Sequence, residues 1–135
     1  MAQSSVGELD IPIHPRDYPI FRPREDECPY VLLGLSESEP VDLDAIRVAK
    51  HQDNVVAAYR FKRLSALAFE IERLGVSESY RSRGIGGWMV AHAIGIIESK
   101  GGREVFIRAP SCDFLSRFGF EVTDSEFLRL TLTAE

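Results

Sequence analysis

A chain of 135 residues with a formal charge of −5, 44% of it apolar and 27% charged, fits one domain, because single domains cluster near about 100–150 residues. No apolar run approaches the roughly 18 residues that span a bilayer, which argues against membrane insertion, and the acidic balance argues against nonspecific nucleic-acid binding, which needs basic clusters to neutralise phosphates. The start, Met1-Ala2-Gln3-Ser4-Ser5, lacks the basic head and apolar stretch of a secretory leader, and Cys28 and Cys112 show no paired or metal-like spacing, so the chain is expected in the cytoplasm with free thiols.

Six of the seven prolines fall in the first 40 residues, and because proline fixes φ and removes a backbone donor this stretch reads as extended loop. Tyr30-Val31-Leu32-Leu33 is predicted as one short strand within it. Strand-like segments follow at 46–51, 55–63 and 66–76. The first two form a hairpin around His51-Gln52-Asp53-Asn54, since Asp and Asn tolerate the left-handed backbone of tight turns. Residues 84–100 read as a helix, with Met89, Val90, Ala93, Ile94 and Ile97 on one apolar face and Gly101-Gly102 as its stop. A strand at 104–108 comes next. Ala109-Pro110-Ser111 supplies a turn and cap for a short helix that reaches Phe118 and ends at Gly119. Alternation of Leu128, Leu130 and Leu132 with Arg129 and Thr131 predicts a half-exposed final strand at 127–133.

A strand, long helix and strand in that order imply a right-handed parallel crossover from the strand ending at Val76 to the strand at Val105, with the rest of the sheet antiparallel. The expected fold class is α/β (α+β): a mixed, mostly antiparallel sheet with flanking helices. An irregular segment, 1–45, is expected to lie on a core formed by 46–135. The final strand is expected at a sheet edge, where unpaired backbone groups favour a homodimer.

Chemistry concentrates in Leu74-Gly75-Val76-Ser77-Glu78-Ser79-Tyr80-Arg81-Ser82-Arg83-Gly84-Ile85-Gly86-Gly87-Trp88. A strand runs into a glycine-rich loop that opens a helix, so backbone N–H groups converge where the helix dipole is positive, which makes an anion site. Gly84 and Gly86 let the backbone approach a phosphate, and Arg81 and Arg83 add charge and bidentate donors. The ligand is expected to carry a pyrophosphate. The loop lacks the terminal Lys and Ser or Thr of a Walker phosphate loop, and its glycines do not follow the strand as in a dinucleotide fingerprint.

This segment resembles the acetyl-CoA signature of the GNAT N-acetyltransferases: Arg or Gln, two residues, Gly, one residue, then Gly or Ala. Arg81, Gly84 and Gly86 occupy those three positions. Phe114-Leu115-Ser116-Arg117-Phe118-Gly119-Phe120 is similar to the aromatic-Tyr-x-Lys-x-Gly-Phe ending of the family's fourth helix, and together the resemblance covers residues 46–133. It implies a GNAT-like fold with an abbreviated N-terminal part, in which the two parallel strands splay apart and pantetheine lies in the gap. It further implies that acetyl-CoA is held by Leu74, Val76, Arg81, Ser82, Arg83, Gly84, Ile85, Gly86, Gly87 and Arg117. The activity implied is transfer of an acetyl group to a primary amine, on a small molecule or a protein, by direct attack in a ternary complex.

Two features depart from the family pattern. Leu115 stands where the family usually has a Tyr that protonates the leaving thiolate, and residues 1–45 are too short and proline-rich to supply fully the strand and two helices that shape the substrate side. These departures keep a non-catalytic acyl-CoA-binding regulator as the alternative, with a general anion-binding module as a third reading.

Glu70 lies eleven residues before Arg81, where the resemblance places a catalytic glutamate, and Glu72 would share its face in a regular strand. Glu70 is the first candidate for the base and Glu72 the second. The competing reading is an ion pair with Arg60, Lys62 or Arg63. His14, His51 and His92 show no ligand spacing, so no metal is expected and each reads as structural or solvated. Cys112 reads as a small buried apolar residue. Tyr80 is expected to support the phosphate loop by packing, and Trp88 to meet the N-terminal segment or a partner subunit.

Overall fold

The computed structural model describes residues 17–36, 38, 40–108, 113–123 and 126–133. Its strands are β1 (Ile20–Phe21), β2 (Ile46–His51), β3 (Asn54–Arg63), β4 (Ala68–Val76), β5 (Glu104–Arg108), β6 (Glu121–Val122) and β7 (Phe127–Thr131). Its α-helices are α1 (Tyr30–Leu33), α2 (Ile85–Ser99) and α3 (Asp113–Ser116). The strands form one sheet in the order β1-β2-β3-β4-β5-β7-β6. Among the described residues only β4 and β5 run parallel, joined through α2 as the strand, helix and strand order requires.

The β2–β3 hairpin turns on Gln52 and Asp53, at φ of 54° and 69°; Asp53 sits where an Asx residue was expected, whereas Asn54 already belongs to the strand. α2 ends at Lys100 with Gly101 left-handed at φ 90°. Gly101 N–H donates to the Glu98 carbonyl at 3.0 Å and Gly102 N–H to the Ile97 carbonyl at 2.9 Å. This paired closure satisfies carbonyls that the helix end would otherwise leave open.

Two cores sandwich the sheet. On one face Tyr59, Phe61, Phe69, Ile71, Val105 and Ile107 pack against Ile85, Met89, Val90, Ala93 and Ile97 of α2, with Leu115 and Phe120 closing the end. On the other, Ile46, Val48 and Ala58 meet Leu33 and Leu35. Each fully buried aliphatic side chain of this size contributes roughly 1.5–3 kcal/mol of transfer free energy, so the α2 face dominates.

Residues 30–33 form a helical turn, not the expected strand. Leu33 N–H donates to the Pro29 carbonyl at 3.0 Å, and Gly34 closes the turn at φ 68°. Their β-prone composition is overridden by this local closure and by packing, since Leu33 is buried while Val31 projects into solvent. The final strand is likewise not an outermost strand: β7 pairs along its length with β5, and β6 covers its other side at Leu128 and Arg129. The turn expected at Ala109-Pro110-Ser111, together with His14 and Cys112, lies outside the described residues. Cys28 is a free thiol against the second core.

β4 carries one residue more than β3 at its centre. Arg60 pairs with Arg73 and Phe61 with Ile71, so Glu72 is the extra residue of a β-bulge. Beyond it the side chains exchange faces: Leu74 and Val76 join the α2 core, while Gly75 turns beneath α1. A Cβ at Gly75 would stand 1.9 Å from the Leu32 carbonyl oxygen, so α1 seats on β4 only because no side chain intervenes. Gly75→Ala should therefore cost about 1–3 kcal/mol, the usual range for overpacking. By contrast Gly95 on α2 has open space around it, so Gly95→Ala should add up to about 1 kcal/mol from helix propensity. Urea unfolding of the two variants beside the parent checks both signs.

Candidate acyl-CoA site

The β4–β5 pairing covers Ala68 to Ile71 against Glu104 to Ile107 and stops there, while β4 continues to Val76. From Glu72 onward β4 has no β5 partner, and this edge opens toward the loop that follows. That loop makes a short 3₁₀ turn at Glu78–Tyr80, passes Ser82 at φ 65° and Gly84 at φ 83°, and enters α2 at Ile85. Among the described residues the backbone N–H groups of Ser82 to Gly87 find no partner within the chain, the first such bond being Trp88 N–H to the Gly84 carbonyl at 3.1 Å. Six such donors lie at and just before the N-terminus of a fifteen-residue helix, an arrangement whose partial positive charge suits an anion.

A cavity of about 420 Å³ opens over these amides, lined by Val76, Tyr80, Arg81, Ser82, Gly84 to Gly87, Arg117 and Phe118. Of the expected cofactor residues, Val76, Arg81, Ser82, Gly84, Ile85, Gly86, Gly87 and Arg117 converge here, Arg117 arriving from just beyond α3. Leu74 lies outside the lining, its side chain packed on the α2 core, although its backbone belongs to the open edge of β4. Arg83 also lies outside, its guanidinium 5.2 Å from the Tyr80 ring centroid. Arg81 commits its Nε to the Val76 carbonyl at 3.1 Å, so part of its hydrogen-bonding capacity holds the loop to the strand. Tyr80 and Phe118 complete the wall. Both stood in the motifs read from sequence, but nothing in local spacing marked them as lining.

Glu70 and Glu72 come together as the strand pattern suggested, on the face opposite α2. Glu70, 9% exposed, lies one residue before the point where β4 and β5 part. Lys62 Nζ stands 3.8 Å from Glu70 and 3.6 Å from Glu72. Arg60 Nε lies 3.0 Å from Glu72, yet without hydrogen-bond alignment, since that buried atom has no hydrogen-bond acceptor. The ion pairs expected as the competing reading are therefore present for both carboxylates. Glu72 carries two cations and Glu70 one distant one, so Glu70 is the freer acceptor. Leu115 is fully buried in the main core, which leaves no hydroxyl at the position where the family resemblance places a Tyr.

The long helix is tied to the sheet by polar contacts. Tyr59 Oη and His92 Nδ1 lie 2.8 Å apart, and Trp88 Nε1 donates to the Tyr18 carbonyl at 3.0 Å, so Trp88 meets the N-terminal segment. His51 Nδ1 lies 2.9 Å from Tyr80 Oη. Both described histidines are thus hydrogen-bonded to tyrosines within the fold.

Residues 8–120 match the model of the acetyltransferase (GNAT) family. The chain belongs to that family. A Chlorobaculum tepidum protein named as an uncharacterized N-acetyltransferase is 28% identical over 80 residues, covering 59% of this chain and 52% of the relative. The chain thus spans about half the length of that curated relative. Among solved structures, N-acetylglutamate synthase from Neisseria gonorrhoeae, complexed with coenzyme A and N-acetyl-glutamate, superposes with a TM-score of 0.74 at 17% identity over 87% of this chain and 35% of that one. A GNAT family acetyltransferase from Elizabethkingia anophelis with acetyl-CoA bound gives 0.69 at 19% identity, over 87% of this chain and 99% of that one. These likenesses show the GNAT fold, a mostly antiparallel sheet with one parallel pair.

Burial, and secondarily the positive charge of Arg47, holds the His92 imidazole below its ordinary pKa. The folded state therefore favours neutral His92, and the unfolded chain binds a proton more readily. Stability from this group is fully present above the ordinary histidine pKa of about 6.5 and is lost as pH falls from there through the folded value. Chemical unfolding between pH 7.5 and 5 should show that decline, and His92→Asn should flatten it.

Proposed function

We propose that the chain is an N-acetyltransferase that moves the acetyl group of acetyl-CoA onto a primary amine, on a small molecule or a protein, by direct attack in a ternary complex. The observation that carries this reading is the row of unpartnered amides from Ser82 to Gly87, at the head of α2 and facing a cavity that ends at Arg117. Donors in that arrangement suit a pyrophosphate. The open edge of β4 from Glu72 to Val76 leaves backbone groups to pair with the amides of pantetheine, and N–H groups around Leu74 to Val76 would stabilise the oxyanion.

An alkylamine with a pKa near 10.4 is mostly protonated at pH 7, so freeing its lone pair costs on the order of 4–5 kcal/mol at 1.36 kcal/mol per unit. Glu70 supplies the base, directly or through water, with Glu72 in second place. Glu70 takes the ammonium proton and releases it to water; the neutral nitrogen then bonds to the thioester carbon, its second proton passes to the carboxylate, and the C–S bond breaks. The leaving thiol has a pKa near 8.5, so departure as a thiolate costs only about 2 kcal/mol. Water can reprotonate it, which makes Leu115 compatible with turnover.

This reading places the protein in the cytoplasm; no helix among the described residues is long and apolar enough to cross a membrane. It also retains a homodimer. The support is the two-residue edge strand β6, where Val122 is 81% exposed, and sedimentation at high micromolar concentration tests it.

Glu70→Gln should lower turnover by roughly 10²-fold or more, the usual contribution of a positioned base, with acetyl-CoA affinity nearly unchanged and partial rescue at higher pH. Gly84→Val should do the reverse and abolish measurable acetyl-CoA binding in calorimetry, because Gly84 holds φ 83°, where a β-branched residue is strained. CoA release across a panel of amines and peptides reads turnover. Wild-type turnover in both Glu70→Gln and Glu72→Gln would remove the carboxylate base, and binding of acetyl-CoA without turnover of any amine would leave a regulator.

A further inference from the structure

Resting on that reading, we infer that His51 and Tyr80 form a clasp, completed by Tyr18, that pre-sets the phosphate loop for acetyl-CoA. Tyr80 is the last residue of the 3₁₀ turn between β4 and the glycines and forms part of the cavity wall. Its hydroxyl reaches across 29 positions of sequence to His51 Nδ1 at 2.9 Å. His51 ends β2 beside the tight turn at Gln52 and Asp53, so the clasp fastens the loop to the β2–β3 hairpin.

Four further contacts surround this pair. The Tyr18 ring lies 5.5 Å from His51 and 6.4 Å edge-on from Tyr80. The Tyr18 carbonyl accepts the indole N–H of Trp88 in the first turn of α2. The outer side of Tyr80 carries the Arg83 guanidinium at 5.2 Å, one residue before Gly84. The loop is thereby bracketed on its strand side by Tyr80 and on its helix side by Trp88, both referred to Tyr18.

Fixing a backbone residue costs conformational entropy. A loop ordered before the ligand arrives does not lose that freedom on binding, and the gain appears as affinity. Nδ1 accepts from the hydroxyl in one neutral tautomer and donates to it in the other. His51 and Tyr80 act through the loop amides and are positioning residues.

Calorimetric titration of the folded full chain with acetyl-CoA tests this. Tyr80→Phe keeps the ring and removes the hydroxyl, and should weaken binding about 3- to 10-fold, the equivalent of one net hydrogen bond. His51→Ala should weaken it equally, His51→Asn should restore most of the loss by presenting an amide in place of Nδ1, and the double variant should be no weaker than either single one. Thermal unfolding without ligand should stay close to the parent for His51→Ala and His51→Asn alike. Parent-like affinity in Tyr80→Phe, no difference between the Ala and Asn variants, or strictly additive losses would overturn the clasp. A parent chain that fails to bind acetyl-CoA would overturn the acetyltransferase reading and the clasp together.

Discussion

One extra residue in a central strand sets the working geometry of this molecule. Glu72 has no counterpart on β3, so β4 bulges where Arg60 gives way to Phe61 in the register. A strand alternates its side chains with period two, and a single insertion therefore moves every later residue to the other face. Leu74 and Val76 are turned into the α2 core, Gly75 is turned under Leu32, and pairing to β5 stops at Ile71. An unpaired backbone edge inside a sheet is costly unless something satisfies it. Here it leads directly into six further free amides at the head of α2.

The charged groups follow from the same irregularity. Arg60 and Lys62 project on the face away from α2, opposite Glu72 and Glu70, so the two carboxylates are neutralised without being tightly held. Polar contacts on the α2 face have a different purpose. Burial raises the Tyr59 hydroxyl well above its ordinary pKa and keeps His92 neutral. Their mutual hydrogen bond offsets the desolvation of both groups.

Family membership and the described N-terminal residues fit together physically. A GNAT sheet must be covered on the face opposite its long helix, and here residues 28–35 and 41–46 provide cover with one helical turn and short apolar contacts. That economy depends on Gly75, because α1 approaches β4 at backbone distance. It also leaves Tyr18 free to run along the other side of the sheet and meet the loop.

Much of this was legible in the residues themselves. The spans of β2 and β5, the crossover through α2, the helix stop at Gly101-Gly102 and the glycine-rich loop of Arg81, Gly84 and Gly86 depend on period, glycine placement and local order, whereas Arg117 was implied by the family resemblance alone. Those signals are encoded within short windows of chain. What lay outside reach were outcomes of long-range competition. The helical turn at 30–33 was decided by Pro29, Gly34 and the second core over β-prone composition. The inward place of β7 was decided by two residues of β6 whose pairing has no periodic signature. The bulge at Glu72 exists only in the register between two strands, and the Tyr18–His51–Tyr80 cluster joins residues with no local spacing in common. The sequence by itself determined which chemistry was available and on which elements it lay. Tertiary structure decided which of those groups meet, because strand register and backbone approach are settled by packing across the whole sheet.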